Sequence, residues 1–308
     1  METKLSTNSS FAELSNEILN KWKSLVQVDF IILADEKPIE SDDDIKQFLQ
    51  DNNRILKVEV LSVGFSTIGS DEVIKWARIS GVEEDNSMFQ DAVIDESDTR
   101  VKEIIDHTVA QLKYTDALYG PIAECAEASV REYISAILSA AAGIAQGVKL
   151  SAEKKITGRK ASGPLDYSMI YKDFFVVVAE AKQDNLEKGV VQNVAQLVAS
   201  RENYLFDASN KKRGYMEFAG QIAQVPSTGI VSTGERWLLM RYLLLPAPKI
   251  VKSRVYTLPI CEISTAESDV TLRSHVVKIV NMIVSALMLQ KEAVDINEFM
   301  KKNKIVHL

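Results

Sequence analysis

The sequence predicts an α/β fold, in which helices flank a mixed central sheet, preceded by a small α+β module. Two features of the chain lead to this prediction. From Ile122 onward, helical spacing of apolar residues is followed by three strand-like segments, a helix, two more strands and a last helix. Nearer the start, two β-branched segments enclose a short polar helix, which is the pattern of a small β-α-β unit.

Each element is predicted by its apolar period and by the turn residues that bound it. The predicted elements are strands over 25–33 and 55–63 with a helix over 42–52 between them, a loop over 81–99, a helix from 122 closed by Gly143 and Gly147, strands over 148–157, 164–171 and 174–182, a helix over 190–200, two strands within 229–242 and a helix over 269–289. Tyr119-Gly120-Pro121 marks a boundary, so we expect an interaction or regulatory module over 1–118 and the main domain over 119–308.

The two halves of the chain carry opposite charge. Residues 1–148 hold 13 Lys and Arg against 27 Asp and Glu, whereas residues 149–308 hold 23 against 16. An acidic front suggests a protein partner, and a basic rear suggests a polyanion such as nucleic acid. The alternative is two differently solvated surfaces, since charge alone does not establish a ligand.

Several functional classes find little support in the sequence. The chain starts without a basic segment followed by an apolar run, so an intracellular protein without a membrane partner is expected, with the nucleus open as a location. Cys125 and Cys261 lie far apart, and His107, His275 and His307 are scattered, which disfavours zinc and histidine-based nucleases. Neither a Gly-rich phosphate loop nor a Gly-x-Ser-x-Gly elbow occurs.

The segment FFVVVAEAK (174–182) combines a buried strand with charge. Both of its faces begin apolar, which is typical of a central strand, yet Glu180 and Lys182 follow on one face. An unpaired polar group there would cost roughly 2–7 kcal/mol on transfer scales. Glu180 and Lys182 therefore need partners, which are each other, the upstream Asp166 or a ligand.

Asp166 reaches this face only in certain registers. A two-residue turn at Lys172-Asp173 sets Asp166 opposite Ala179, on the wrong face. A three-residue loop sets Asp166 opposite Val178 and diagonal to Glu180, on the same face, and a β-bulge could achieve the same correction. Two neighbouring carboxylates repel each other unless a cation lies between them, and Mg²⁺ (or Mn²⁺) suits such oxygen ligands. Lys182 would then orient or deprotonate a water, or stabilise the phosphorus under attack.

Pro164-Leu165-Asp166, followed after thirteen residues by Glu180-Ala181-Lys182, resembles the PD-(D/E)XK nuclease superfamily over roughly 122–245. The resemblance implies a restriction-endonuclease-like core and a metal-dependent nuclease. Asp166 and Glu180 would be its metal ligands and Lys182 its catalytic cation.

The resemblance also implies roles on the flanking helices. Glu127 would be a further ligand, although it also suits the dipole of a helix N-terminus. Gln192 would complete the site, whereas Gln196, on the same helix face, is expected to make an ordinary polar contact. Glu153 is an additional candidate ligand. The phrase EKKITGRKASGPLDY, together with the acidic module, resembles crinkler-type effectors of filamentous eukaryotes.

Basic residues surround the proposed ligands and would grip phosphate, the alternative being a solvated basic face. These residues are Lys154, Lys155, Arg159, Lys160, Lys211, Lys212 and Arg213.

The sequence and this resemblance thus predict a Mg²⁺-dependent phosphodiesterase that cleaves nucleic acid, with DNA favoured over RNA and endo- or exonuclease action left open. The alternatives are a non-catalytic nucleic-acid- or protein-binding effector on a degenerate nuclease fold, and a protein whose acidic module dominates function through protein partners. For Glu180 and Lys182 alone, a structural ion pair at a strand end is the competing interpretation. No oligomeric state is predicted.

Overall fold

The structure is a computed structural model. It describes residues 10, 12–16, 30–34, 37–38, 41, 43, 56–60, 63–89, 94–158, 160–172, 174–210, 227–244, 247–259 and 266–302.

A small sheet lies near the start of the chain. Its strands are β1 (Phe30–Ala34), β2 (Lys37–Pro38) and β3 (Leu56–Val60), paired antiparallel in the order β2-β1-β3. β1 and β3 overlap the two predicted strands, and the helix expected over 42–52 lies almost wholly outside the described residues.

The remaining described strands form one large mixed sheet. They are β4 (Val63–Gly64), β5 (Val82–Glu84), β6 (Lys149–Thr157), β7 (Ala161–Tyr171), β8 (Phe174–Ala181), β9 (Ser227–Ser232), β10 (Arg236–Leu243), β11 (Lys249–Lys252) and β12 (Tyr256–Thr257). The order is β4-β7-β8-β9-β10-β11-β5, with β6 also on β7 and β12 on β10. Pairs β8–β9, β11–β5 and β4–β7 are parallel and the others antiparallel.

Helices cover both faces of this sheet, which confirms the predicted mixed sheet flanked by helices. They are α1 (Ser70–Ala77), α2 (Thr99–Tyr119), α3 (Glu127–Ala145), α4 (Leu186–Asn210) and α5 (Ala266–Lys302). One apolar core joins α2, α3 and α5 to one face, and the other joins α1 and α4 to the opposite face. A strand buried on both faces must be apolar on both, as the sequence of β8 is.

Local chemistry sets the ends of the helices that lead into the site. The Asp98 carboxylate caps α2 by accepting the amide of Arg100 at 2.8 Å, and Gly120 ends it with a φ of 81°. Gly147, at a φ of 71°, follows the end of α3, whereas Gly143 lies inside that helix and does not close it.

The segment 63–119, expected to belong mainly to the first module, instead contributes to the core of the main domain. β4 and β5 join the large sheet, although β5 lies in the stretch expected to be a loop. Ile105 and Leu112 of α2 are fully buried in the core shared with α3 and α5. Gly120 therefore ends a helix without ending a domain, and a boundary after residue 118 would divide one core.

One helix among the described residues is long and apolar enough to cross a membrane, over Asp269–Ile296 of α5. Of its most apolar stretch, 56% is buried within the protein, as in the core helix of a soluble protein.

Candidate metal and catalytic centre

A β-bulge sets the register of the hairpin that presents the acidic residues. Tyr171 pairs with Phe174 across a two-residue connection, and Ile170 pairs with Phe175. The register then shifts, so that Met169 faces Val177 and β8 contains one extra residue. Of the two arrangements that sequence analysis allowed, the structure has the bulge.

The shift brings Asp166 level with Glu180. Tyr167 pairs with Ala179, so the next position on each strand is Asp166 on β7 and Glu180 on β8. Lys182 follows directly after β8, and its backbone amide donates to the carbonyl of Ser232 at 2.8 Å. Asp166, in the middle of β7, therefore lies level with the end of β8, where Glu180 and Lys182 lie.

Both carboxylate oxygens of Asp166 have partners. Oδ2 accepts the backbone amide of Ala181 at 2.8 Å, and Oδ1 accepts Nη2 of Arg131 at 2.5 Å. The side chain is 13% exposed. The amide fixes the carboxylate at the end of β8, and the guanidinium balances its charge.

Glu180 is the most deeply buried charged group of the site, at 2% exposure. Its Oε1 contacts the ammonium of Lys182, and its Oε2 accepts Nε2 of Gln196 at 2.5 Å. Burial raises the pKa of Glu180 from 4.5 to about 7, and the Asp166 carboxylate adds to the rise; Lys182 and Gln196 oppose it. The carboxylate form is therefore costly without a further positive charge.

Gln196, rather than Gln192, contacts the candidate site. Its carbonyl accepts Nδ2 of Asn193 at 3.1 Å, and Asn193 in turn donates to the carbonyl of Val178 at 3.2 Å. Oε1 of Gln192 is buried and has no hydrogen-bond partner within the described ranges. Gln192 was the glutamine predicted to complete the site, and Gln196 was predicted to make an ordinary polar contact, yet Gln196 is the one that donates to Glu180.

Arg131, which sequence analysis missed, links Glu127 to Asp166. Glu127 is the first residue of α3, and its carboxylate lies 3.4 Å from Nη2 of Arg131, one helical turn later. Glu127 is 43% exposed, so its charge is well screened. The only sequence signal for Arg131 was its spacing of four residues from Glu127, which is typical of a helical ion pair.

Glu153 completes a row of acidic positions across three strands. The pairs Ala152–Tyr167 and Lys154–Leu165 flank Glu153, so Glu153 on β6 lies opposite Asp166 on β7. Glu180 on β8 lies opposite Asp166 on the other side of β7. Its φ is 52°, an uncommon value for a residue with a Cβ, and its carboxylate lies 3.5 Å from Nη1 of Arg131. Like charges side by side on a sheet repel, so this row favours a bound cation.

The acidic side chains of the site are candidate ligands for the expected metal. No group of three or more His, Cys, Asp or Glu side chains in the described part of the chain is arranged to hold a metal ion. Asp166 and Glu180 nevertheless fit Mg²⁺, which often takes one or two protein carboxylates and completes its shell with water and substrate phosphate. These two residues would hold the ion.

The predicted phosphate-binding residues are only partly described. Lys154 and Lys155 are exposed on β6, beside the strand of Asp166, and Lys160 is partly buried just before β7. Arg159, Lys211, Lys212 and Arg213 lie outside the described residues.

No protein-family model, curated protein or solved structure matches this chain.

Proposed function

We propose that this protein is a Mg²⁺-dependent phosphodiesterase that cleaves nucleic acid, with DNA favoured over RNA, on a restriction-endonuclease-like core. The observation that supports this most is the position of Asp166 level with Glu180, with the Lys182 ammonium on Glu180. The order from α3 to β9, which is a helix, three antiparallel strands, a helix and a parallel strand, agrees with the PD-(D/E)XK resemblance.

Each residue of the site has a chemical task in this proposal. A bound Mg²⁺ or Mn²⁺ supplies Lewis acidity for the phosphate and a more nucleophilic water. Asp166 and Glu180 would hold the ion. Lys182 would place a positive charge where negative charge develops on the phosphorus, or orient the attacking water. Gln196 fixes the direction of the Glu180 carboxylate by donating to Oε2.

A non-catalytic nucleic-acid- or protein-binding effector on a degenerate nuclease fold is the second candidate. Two observations favour it. The guanidinium of Arg131 already neutralises the charge of Asp166, and the described residues include no group of three or more side chains arranged to hold a metal ion. This candidate predicts binding without cleavage.

A cleavage assay separates the two candidates. The full chain is incubated with plasmid, linear duplex and single-stranded DNA and with RNA, in Mg²⁺, in Mn²⁺ or in a chelator. Our proposal predicts a DNA product that depends on the metal. Asp166→Asn and Lys182→Gln should each lower the rate by roughly a hundredfold or more, since each removes charge stabilisation from the reaction.

The control is Asp295→Asn, another carboxylate paired with a lysine. Asp295 lies 2.7 Å from Nζ of Lys172, in the turn at the opposite end of the hairpin. This variant should cleave at the rate of the parent. A parent chain that binds nucleic acid and yields no product with either metal would establish the second candidate instead.

A further inference from the structure

We propose that Arg131 is the resident counter-cation of a carboxylate cluster, and that its guanidinium competes with an incoming divalent cation for Oδ1 of Asp166. The cluster consists of Glu127, Glu153, Asp166 and Glu180. This inference rests on the metal site of the proposed function and adds an exchange step at that site. Arg131 is a positioning residue in this scheme. It holds Asp166 beside Glu127 and Glu153 before the metal arrives, and then releases Asp166 to the metal.

The guanidinium reaches carboxylates on three different elements. Nη2 lies 2.5 Å from Asp166 on β7 and 3.4 Å from Glu127 on α3, and Nη1 lies 3.5 Å from Glu153 on β6. The backbone is anchored as well, because the carbonyl of Arg131 accepts the hydroxyl of Tyr167 at 2.7 Å. A planar fork with several donors suits such a multiple contact better than an ammonium does.

Asp166 cannot easily serve both cations. Its Oδ2 is engaged by the Ala181 amide, so Oδ1 is the oxygen that faces the cluster, and Arg131 already holds it. A metal ion binds a carboxylate oxygen at about 2.0–2.1 Å, which would bring it against the guanidinium. Repulsion between the two cations therefore drives Arg131 away from Oδ1 when the metal binds.

The charge and the hydrogen bonding of the cluster both favour this exchange. With all its acids ionised, the cluster has four carboxylates and two cations, Arg131 and Lys182, which leaves an excess equal in size to one divalent ion. Nε of Arg131 is buried and unpaired among the described residues, so the guanidinium is incompletely satisfied where it lies. The side chain is 31% exposed and has a route to solvent.

The test is the binding of Mn²⁺ to the full chain without nucleic acid. The Kd is measured by calorimetry and by the electron paramagnetic resonance of free Mn²⁺. Arg131→Gln should lower the Kd for Mn²⁺ about tenfold or more, which corresponds to about 1.4 kcal/mol. Arg131→Lys keeps the positive charge but loses the planar guanidinium, so its Kd for Mn²⁺ should lie between those of the parent and of Arg131→Gln. Circular dichroism checks that each variant is folded.

The matched control is Arg273→Gln. Arg273 contacts two carboxylates, Glu96 and Asp106, and is 32% exposed, but it lies on α5 away from the cluster. Its Kd should equal that of the parent.

Three results would overturn the inference. The first is a folded Arg131→Gln variant that binds Mn²⁺ no more tightly than the parent. The second is the loss of folding in both Arg131 variants, which would make the role of Arg131 structural. The third is the absence of Mn²⁺ binding in the parent and in every variant. If Arg131→Gln binds Mn²⁺ more tightly than the parent but the parent cuts no DNA, only the proposed function is refuted.

Discussion

Glu180 is the most deeply buried charged residue of the candidate site. Buried beneath Gln196 and beside Lys182, it faces the carboxylate of Asp166 across the strands. Burial and Asp166 together outweigh the lysine, so the pKa of Glu180 rises to about 7. Near neutral pH this group therefore exchanges a proton, and a divalent ion would favour its ionised form.

The raised pKa predicts how stability depends on pH. The folded chain keeps the proton on Glu180 up to about pH 7, whereas the unfolded chain loses it near 4.5. The free energy of unfolding should therefore fall as pH rises from about 4.5 to about 7, by about 3 kcal/mol from this group. The side chain of Glu180→Gln stays neutral, so its free energy of unfolding should match that of the parent near pH 5 and exceed it by about 3 kcal/mol near pH 8. Urea unfolding without metal measures both values.

Asp295→Asn is the control for this pH dependence. A hydrogen bond from Lys172 lowers the pKa of Asp295, so this carboxylate is ionised in both folded and unfolded chains between pH 5 and pH 8. The stability difference between this variant and the parent should be flat over that range. A parent more stable than Glu180→Gln at pH 8 would show that Glu180 and Lys182 form a stabilising ion pair, contrary to our expectation.

The two glutamines of α4 should respond differently to the same substitution. Gln196→Met keeps the side-chain volume but removes the donor to Glu180 and the acceptor of Asn193, so it should cost about 1–3 kcal/mol and slow cleavage. Gln192→Met removes a buried carbonyl oxygen that has no partner among the described residues, so stability should hold or rise. Thermal unfolding and cleavage rates check both. A folded Gln192→Met that no longer cleaves would restore Gln192 as a functional residue.

Strand β6 presents exposed lysines beside the strand of Asp166. Lys154 and Lys155 are aligned with Leu165 and Pro164, the residues just before Asp166. If these lysines bind DNA phosphates, the double variant Lys154→Gln with Lys155→Gln should weaken binding equally for all DNA sequences. The slope of log affinity against log salt should also drop by about 2.

Lys249→Gln with Lys252→Gln is the matched control for this measurement. These residues lie on β11, which three strands separate from β7 in the sheet order. Fluorescence anisotropy over a series of salt concentrations should give the parent slope for this pair. An unchanged slope for the β6 variant would assign Lys154 and Lys155 to a solvated surface.

The large sheet and its two cores draw on most of the described chain. β4, α1, β5 and α2 all come before residue 120, yet they pair or pack with elements from the second half. The acidic first half of the chain is therefore not one separate module, and among the described residues only β1 to β3 form a sheet of their own.

This architecture predicts which fragment folds. A chain of residues 63–308 keeps both cores, whereas residues 119–308 lack α2 and expose the apolar faces of α3 and α5 that pack against it. The shorter fragment should unfold at a lower temperature, bind a hydrophobic dye and be digested faster by protease. Equal unfolding temperatures for the two fragments would contradict a single shared core.

The fold class and the central acidic pair were predictable from the sequence because both depend on local periodicity. Alternation along 174–182 identifies a strand buried on both faces, and it also sets Glu180 and Lys182 on the same side. The helix spacing after Glu127 and the turn residues around the hairpin likewise act over a few residues. The predicted order of strands and helices from 122 to 289 follows from such short-range signals, and the structure has this order with two unpredicted short strands, β11 and β12, before the last helix.

By itself, then, the sequence determined α3 to α5, β6 to β10, their order and the charge at the end of β8, but not α1, α2, β4, β5, β11 or β12. Only the tertiary structure decided that a bulge aligns Asp166 with Glu180, that Gln196 rather than Gln192 contacts Glu180, that α2 belongs to the main core, and that Arg131 joins carboxylates from three elements. The physical reason is the range of the forces involved. Periodicity is fixed by neighbouring residues, whereas the register of a strand and the rotation of a helix minimise the free energy of contacts between segments that are distant in the chain.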